Sequence, residues 1–235
     1  MILLTICARG GSKGVKNKNI REIAGKPLIA HTIKVAKDWG KADRIVCSTD
    51  SEEIAKAARE AGAEVPFMRP AELATDESSK MDVIRHAVYE SEKKYGENYN
   101  TIVDLDVTSP VRTVEDLEGC LKIFQEKDLD SVFSVTNARK SPYFNVVELN
   151  DEGYAHLSKE PLSPIVRRQD SPEVYDMNAS IYFYKKEFLM KPETESPISD
   201  KSAIYVMDDI SSAEIDSELD LAFLEFLIEK GEVSL

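Results

Sequence analysis

Residues 2–14 read Ile2-Leu-Leu-Thr-Ile-Cys-Ala8 and then Arg9-Gly-Gly-Ser-Lys-Gly14. The first run is apolar or β-branched and ends at glycines, the pattern of a strand buried on both faces. Working outward, similar runs recur at Arg44–Thr49, Thr101–Val107, Ser131–Thr136, Asn178–Tyr184 and 203–207, with a weaker one at 63–67. Between them lie segments of helical period. Ile29, Ile33 and Ala36 lead up to Gly40; Asp50 or Ser51 caps a helix reaching about Ala61; Met81, Ile84 and Val88 mark another; and Thr113 to Glu126 forms a fourth. Leu219, Phe223, Phe226 and Leu227 define an amphipathic C-terminal helix. Strands alternating with helices predict an α/β fold of three layers around a mainly parallel sheet, with right-handed crossovers and ligands at the carboxyl ends of the strands. The rhythm fails between 137 and 177, where prolines stand at 142, 161, 164 and 172 and no helical period is found. A structureless stretch of that length does not suit a compact domain. An extended arm or small antiparallel sheet against a partner is expected there, within a single domain spanning 1–235.

The 235 residues are 42% hydrophobic and 31% charged, which excludes a disordered or low-complexity chain. The formal net charge of −13 repels a nucleic-acid backbone, so no nucleic-acid partner is expected. Cys7, Cys47 and Cys120 are odd in number and widely spaced, which suits neither a disulfide framework nor a zinc site and points to a reducing compartment. The start of the chain lacks the basic region of a signal peptide, and no apolar stretch is long enough to span a membrane. A cytoplasmic protein with no membrane partner is the expectation.

The loop after the first strand concentrates the chemistry. Gly10, Gly11 and Gly14 permit positive φ and close backbone approach, while Arg9, Lys13, Lys16 and Lys18 gather cations on an otherwise acidic chain. Such a loop suits a phosphate group. It is neither the G-x-G-x-x-G of dinucleotide-binding proteins nor the G-x-x-x-x-G-K-[ST] of P-loop proteins, since Val15 follows Gly14.

The run Ala8-Arg-Gly-Gly-Ser-Lys-Gly14 with Lys18-Asn19 resembles the signature of the acylneuraminate cytidylyltransferases, the CMP-sialic acid synthetases. Gly25-Lys-Pro-Leu28, Ser48-Thr-Asp50, Arg69-Pro-Ala-Glu-Leu-Ala74, Thr108-Ser-Pro110, Arg168-Gln169, Asn178-Ala-Ser-Ile-Tyr182 and Ile215-Asp216 follow in the family's order, so the resemblance covers nearly the whole chain. It implies a Rossmann-like nucleotidyltransferase fold with a protruding dimerisation segment. It also implies a homodimer that uses Mg²⁺ to join CTP to an acidic nine-carbon 2-keto sugar, releasing pyrophosphate. Carried over by position, Arg9, Gly10, Gly11, Ser12 and Lys13 would hold the triphosphate, with Lys18 and Asn19 near the nucleotide. Ser79 would either approach the cytidine or cap the following helix. Arg168 and Gln169 would meet the sugar or a partner's site, and Asn178 and Tyr182 would line the sugar pocket, although Tyr182 also suits a half-buried strand position. Arg9, Lys13 and Asp216 are the candidate catalytic residues.

The reaction needs a hard cation, and its ligands are sought among acids at strand ends. Asp106, Glu214 and Asp216 are the candidates, the last two sharing one side of an extended segment. The family more often has Asp-x-Asp where Glu214 stands, and Leu-Gln-Pro where this chain reads Leu105-Asp-Val107. A carboxylate at 106 offers acceptors only. It would either contact substrate or bind metal. Together with Tyr175-Asp-Met-Asn-Ala-Ser180 it resembles the subgroup that activates legionaminic acid, a diamino relative of sialic acid; ordinary sialic acid stays open. His31, His86 and His156 form no cluster, and direct in-line transfer is the simplest chemistry. The rivals are transfer to another acidic sugar such as 3-deoxy-manno-octulosonate, and a non-catalytic nucleotide-binding regulatory module.

Overall fold

A computed structural model describes residues 1–12 and 14–235. In chain order the elements begin with β1 (Ile2–Cys7), a ribbon of β2 (Glu22–Ile23) and β3 (Lys26–Pro27), α1 (Leu28–Trp39), β4 (Arg44–Ser48) and α2 (Glu52–Ala61). Next come α3 (Lys80–Tyr95), β5 (Thr101–Leu105), α4 (Val114–Glu126) and β6 (Ser131–Asn137). The chain ends with β7 (Val147–Leu149), β8 (Ala155–Leu157), β9 (Tyr175–Lys185), the short α5 (Lys186–Leu189), β10 (Ser202–Val206) and α6 (Glu218–Glu229).

Six strands form the central sheet in the order β10-β6-β9-β5-β1-β4. All pairings are parallel except those of β9, which runs antiparallel to both β5 and β6. The reason lies in the connection. A parallel neighbour needs a crossover helix, whereas β6 returns directly into β9 as an antiparallel pair whose long loop is the arm between them. The arm carries the β7–β8 hairpin, a small antiparallel sheet of the kind expected there. The run at 63–67 is a correction to the strand expected. It makes only one bridge, Glu64 to Val46, because Pro66 has no N–H to continue the ladder.

Alternation along each strand divides the core. Leu4 and Ile6, Val103 and Leu105, and Ile181 and Phe183 face one side with α1, α4 and α6. Leu3, Ile102, Tyr182 and Tyr184 face the other, against Met81, Ile84 and Val88 of α3. Among the described residues no helix is long and apolar enough to cross a membrane.

The amino end of the sheet is tied by ions. Arg44 donates to Glu97 through Nη2 at 2.7 Å and Nε at 3.0 Å, reaches Glu64 at 3.2 Å and lies 4.2 Å from the centre of the Tyr95 ring. Hydrogen bonds from Arg44, then from the Tyr99 hydroxyl, hold the Glu97 carboxyl at about 2 against an ordinary 4.5. A folded-state value below the unfolded one stabilises the fold above the unfolded value, and the effect is lost as pH falls through the folded one. Stability therefore declines between 4.5 and about 2. Glu97→Gln flattens that decline, which melting temperatures at about pH 3 and about pH 7 will show.

Candidate active site

The carboxyl ends of β1, β4 and β5 open on a cleft of about 320 Å³. The loop after β1 supplies Arg9, Ser12, Lys18 and Asn19, while Arg69, Thr75, Asp76 and Ser78 close the opposite wall. Lys80, Asp106 and Thr108 line its far end. Five residues sought from the sequence (Arg9, Ser12, Lys18, Asn19 and Asp106) thus share one cavity. Lys13 lies outside the described residues.

The loop's glycines serve different ends. Gly11 alone of Gly10, Gly11 and Gly14 has a positive φ, 69°. Gly10 donates its N–H to Asp50 Oδ1 at 2.8 Å, so that donor braces the loop against the end of β4 instead of lying free for an anion. At Gly14 the constraint is close approach: a Cβ there would lie 1.9 Å from the Asp216 carbonyl oxygen. Asn19 is buried and donates to the Arg9 carbonyl at 2.9 Å, which fixes the turn that carries the arginine. Arg9 itself pairs with Asp76 across the cleft at 2.6 Å, where the two side chains stay 35% and 45% exposed.

Lys18 joins the loop to the acidic segment. Its Nζ donates to the Ile215 carbonyl at 2.6 Å and to Asp216 Oδ1 at 3.1 Å. Ile215 is buried, which leaves Glu214 and Asp216 on the other side of the chain, as their spacing demands. Burial raises the Glu214 carboxyl, and the charges of Asp216 and Asp106 raise it further, so Glu214 senses both of those carboxylates. Among the described residues, no three acidic, imidazole or thiol groups are spaced to hold a metal unaided. The set still fits Mg²⁺, which takes one or two carboxylates and completes its shell with water and substrate phosphates.

The floor was only partly legible. Lys80 Nζ lies 3.0 Å from Asp106 Oδ2, 3.1 Å from Asp104 Oδ2 and 4.5 Å from the centre of the Tyr182 ring. Burial works against its charge, but Asp106 and Asp104 outweigh it and hold the ammonium well above its ordinary value. Burial likewise opposes ionisation of Asp106, yet Lys80 and hydrogen bonds from the Thr108 N–H and hydroxyl take it down to about 2. The signal for Lys80 in the sequence is a cation at the first turn of a helix, where the dipole disfavours positive charge. Arg69, at the start of the 69–74 run, is buried and donates to the Ser48 hydroxyl at 3.1 Å.

Ser79 caps α3, its Oγ accepting from the Met81 N–H at 3.2 Å. Ser79→Ala removes the cap and costs about 1 kcal/mol. The Tm drops by about 2–4 °C, while the KM for CTP holds; a rise in that KM with an unchanged Tm would assign the hydroxyl to the nucleotide instead. Tyr182 is buried in β9 and stacks on Tyr184 beneath Lys80. Asn178 is turned inward: its Oδ1 accepts from Ser134 at 2.7 Å and its amide donates to the Ser211 carbonyl at 3.3 Å. Arg168 and Gln169 stand apart, in a hollow at the root of the arm with Lys140 and Glu173. Cys7 lies at the cleft floor, where burial and then Asp104 raise its thiol far above the range of a nucleophile. His31 is buried and bonded to the Ile23 carbonyl at 2.8 Å, a packing role.

A family model described as Cytidylyltransferase matches residues 3–229. The chain belongs to the cytidylyltransferase family. It is 43% identical over 233 residues to the CMP-N,N'-diacetyllegionaminic acid synthase of Campylobacter jejuni, covering 99% of this chain and 97% of that one. It is 42% identical over 229 residues to post-translational flagellin modification protein B of Campylobacter coli, covering 97% and 95%. Among solved structures, a CMP:2-keto-3-deoxy-manno-octonic acid synthetase complexed with CTP superposes with a TM-score of 0.72 at 18% identity, covering 98% of this chain and 99% of that one. That likeness bears on the fold, and it agrees with the Rossmann-like nucleotidyltransferase architecture expected from the sequence.

Proposed function

We propose that this cytidylyltransferase moves CMP from CTP to the anomeric 2-hydroxyl of an acidic nine-carbon 2-keto sugar, N,N'-diacetyllegionaminic acid before N-acetylneuraminic acid. The observation that carries the reading is the arrangement of the cleft. A cationic loop after β1 lies beside an acceptor-only carboxylate, Asp106, after the adjacent β5. The 43% identity to the CMP-N,N'-diacetyllegionaminic acid synthase supports legionaminic acid as the sugar.

In the reaction the sugar oxygen attacks the α-phosphorus, the bond from that phosphorus to the bridging oxygen breaks, pyrophosphate leaves and the hydroxyl proton passes to solvent water. Positioning and charge stabilisation supply most of such catalysis. Arg9, Lys18 and Ser12 offer donors to the phosphate oxygens, and the Arg9–Asp76 pair opens to free the guanidinium. Lys13 is assigned to the triphosphate by its place in the loop. Mg²⁺, held by Asp216 and Glu214, would offset the phosphate charge. Asp106 is kept for the sugar, because Lys80 and Thr108 already engage its two oxygens.

The reading extends to a homodimer. Val147, Leu149, Tyr154 and Leu162 of the arm are exposed large apolar side chains, which supports a second copy covering them, and Arg168 and Gln169 in the hollow at its root would then serve that copy. The free cysteines, two of them buried, suit the cytoplasm.

Pyrophosphate release from CTP across purified nonulosonic acids, with Mg²⁺, tests the reading. Diacetyllegionaminic acid should give the highest kcat/KM. Turnover with 3-deoxy-manno-octulosonate in preference to every nine-carbon acid would replace it, and CTP binding without turnover of any sugar would leave a binding module.

A further inference from the structure

Lys80 lies in the cleft but belongs to neither the phosphate loop nor the acidic segment. Its ammonium is shared between two carboxylates on one side of the chain at the end of β5, and it spans helix α3 and the sheet. Asp104 is fully buried and its other oxygen accepts from the Thr5 hydroxyl at 2.7 Å. Asp106 receives Lys80 on Oδ2 and Thr108 on Oδ1, at 2.9 Å from the N–H and 3.0 Å from the hydroxyl. The Tyr182 ring supports the ammonium from below, and Arg112, itself buried, donates to the Asp106 carbonyl. A half-buried carboxylate beside a second, buried one repels it, and without a shared cation the pair would splay or take up a proton. A carboxylate has about four lone-pair directions. Lys80 and Thr108 occupy three of those on Asp106, so the acceptor left for a ligand has its direction set by Lys80. The triphosphate takes the cationic end of the cleft over β1, which leaves the end over β5 to the acceptor sugar.

We propose that Lys80 is a positioning residue for sugar recognition: by bridging Asp104 and Asp106 it fixes Asp106 as an oriented acceptor for an N–H or O–H donor of the sugar acid. This rests on the proposed function. It assigns the discrimination of the sugar to a partly buried ion triad instead of to a single residue, and it gives the cytidine nucleotide no contact with Lys80.

The test compares Lys80→Met, Lys80→Arg, Asp106→Asn and the double variant Lys80→Met/Asp106→Asn, with N,N'-diacetyllegionaminic acid as the sugar. Lys80→Met should raise the KM for the sugar about tenfold or more, the loss expected when a charged hydrogen-bond acceptor is misplaced. Its kcat and KM for CTP should stay within about threefold, and Lys80→Arg should recover most of the sugar affinity. In the Asp106→Asn background, Lys80→Met should add less than about threefold, because both changes act on one contact. If Lys80→Met leaves Asp104 too unstable to fold, Lys80→Met/Asp104→Asn compared with Asp104→Asn gives the same reading. A KM for CTP that rises as far as that for the sugar overturns the proposal, as does a full Lys80→Met effect on top of Asp106→Asn. Wild-type turnover with an unchanged Lys80→Met variant defeats this proposal alone. Wild-type protein that neither binds nor turns over any nonulosonic acid defeats the function on which it rests.

Discussion

Arg9→Ala lowers kcat/KM for CTP by about 10²–10³ and moves the Tm by no more than about 4 °C. The first figure is what removing one preorganised donor to a developing phosphate charge costs, and the second follows from a surface ion pair contributing at most about 1 kcal/mol. Among the described residues of the loop Arg9 is well placed for this, since Asn19 pins its carbonyl and it already grips a carboxylate at Asp76. Lys13→Ala is expected to act in the same direction from its position between Ser12 and Gly14. Steady-state pyrophosphate release and a thermal melt decide it; an Arg9→Ala enzyme with unchanged kcat/KM removes the loop from the mechanism.

Gly14→Ala damages stability and turnover together. A methyl group 1.9 Å from the Asp216 carbonyl cannot be absorbed, because the neighbour is backbone and not the end of a side chain. The loop and the acidic segment must separate, which breaks the Lys18 contacts to Ile215 and Asp216 and parts the cations from the carboxylates. Overpacking of this kind costs about 1–3 kcal/mol, and turnover drops by at least about 10²-fold if positioning carries the chemistry. Gly11→Ala gives a useful contrast: its φ of 69° strains any side chain, but nothing stands within 4 Å of an added Cβ. Wild-type kcat and Tm in Gly14→Ala would show that loop and segment need not touch.

The part of the fold carried by local pattern was legible in the sequence. Apolar β-branched runs and helical spacing located β1, β4, β5, β6 and helices α1, α2, α3 and α4 because those signals sit within a few residues of each other. Helix α6 also forms, but it buries Leu221 and Leu224 and leaves the expected Leu219, Phe223 and Phe226 exposed. The direction of β9 was not, since an apolar run such as Ile181–Tyr184 packs equally well either way and only the connection decides. Glu64 shows the opposite limit, where one proline reduced an apolar stretch to a single bridge.

The site divided along the same line. Arg9, Ser12, Lys18 and Asn19 are neighbours in sequence, so the loop could be read directly. Lys80 and Asp106 are 26 positions apart and meet only because α3 packs across the end of β5. Asp50, which takes up the Gly10 N–H from 40 positions away, was hidden for the same reason. Asn178 sits in the stretch expected to line the sugar pocket, but the side-chain alternation of β9 aims it at Ser134 and Ser211. Arg168 and Gln169 stand on the arm, whose path depends on what it packs against.

The proposed function requires the loop after β1 to grip the triphosphate. A crystal structure with CTP and Mg²⁺ measures this directly. Phosphate oxygens are expected within hydrogen-bond distance of Arg9, Ser12 and Lys18, with Asp76 displaced from Arg9. A nucleotide bound elsewhere, with the Arg9–Asp76 pair still closed at 2.6 Å, would contradict it.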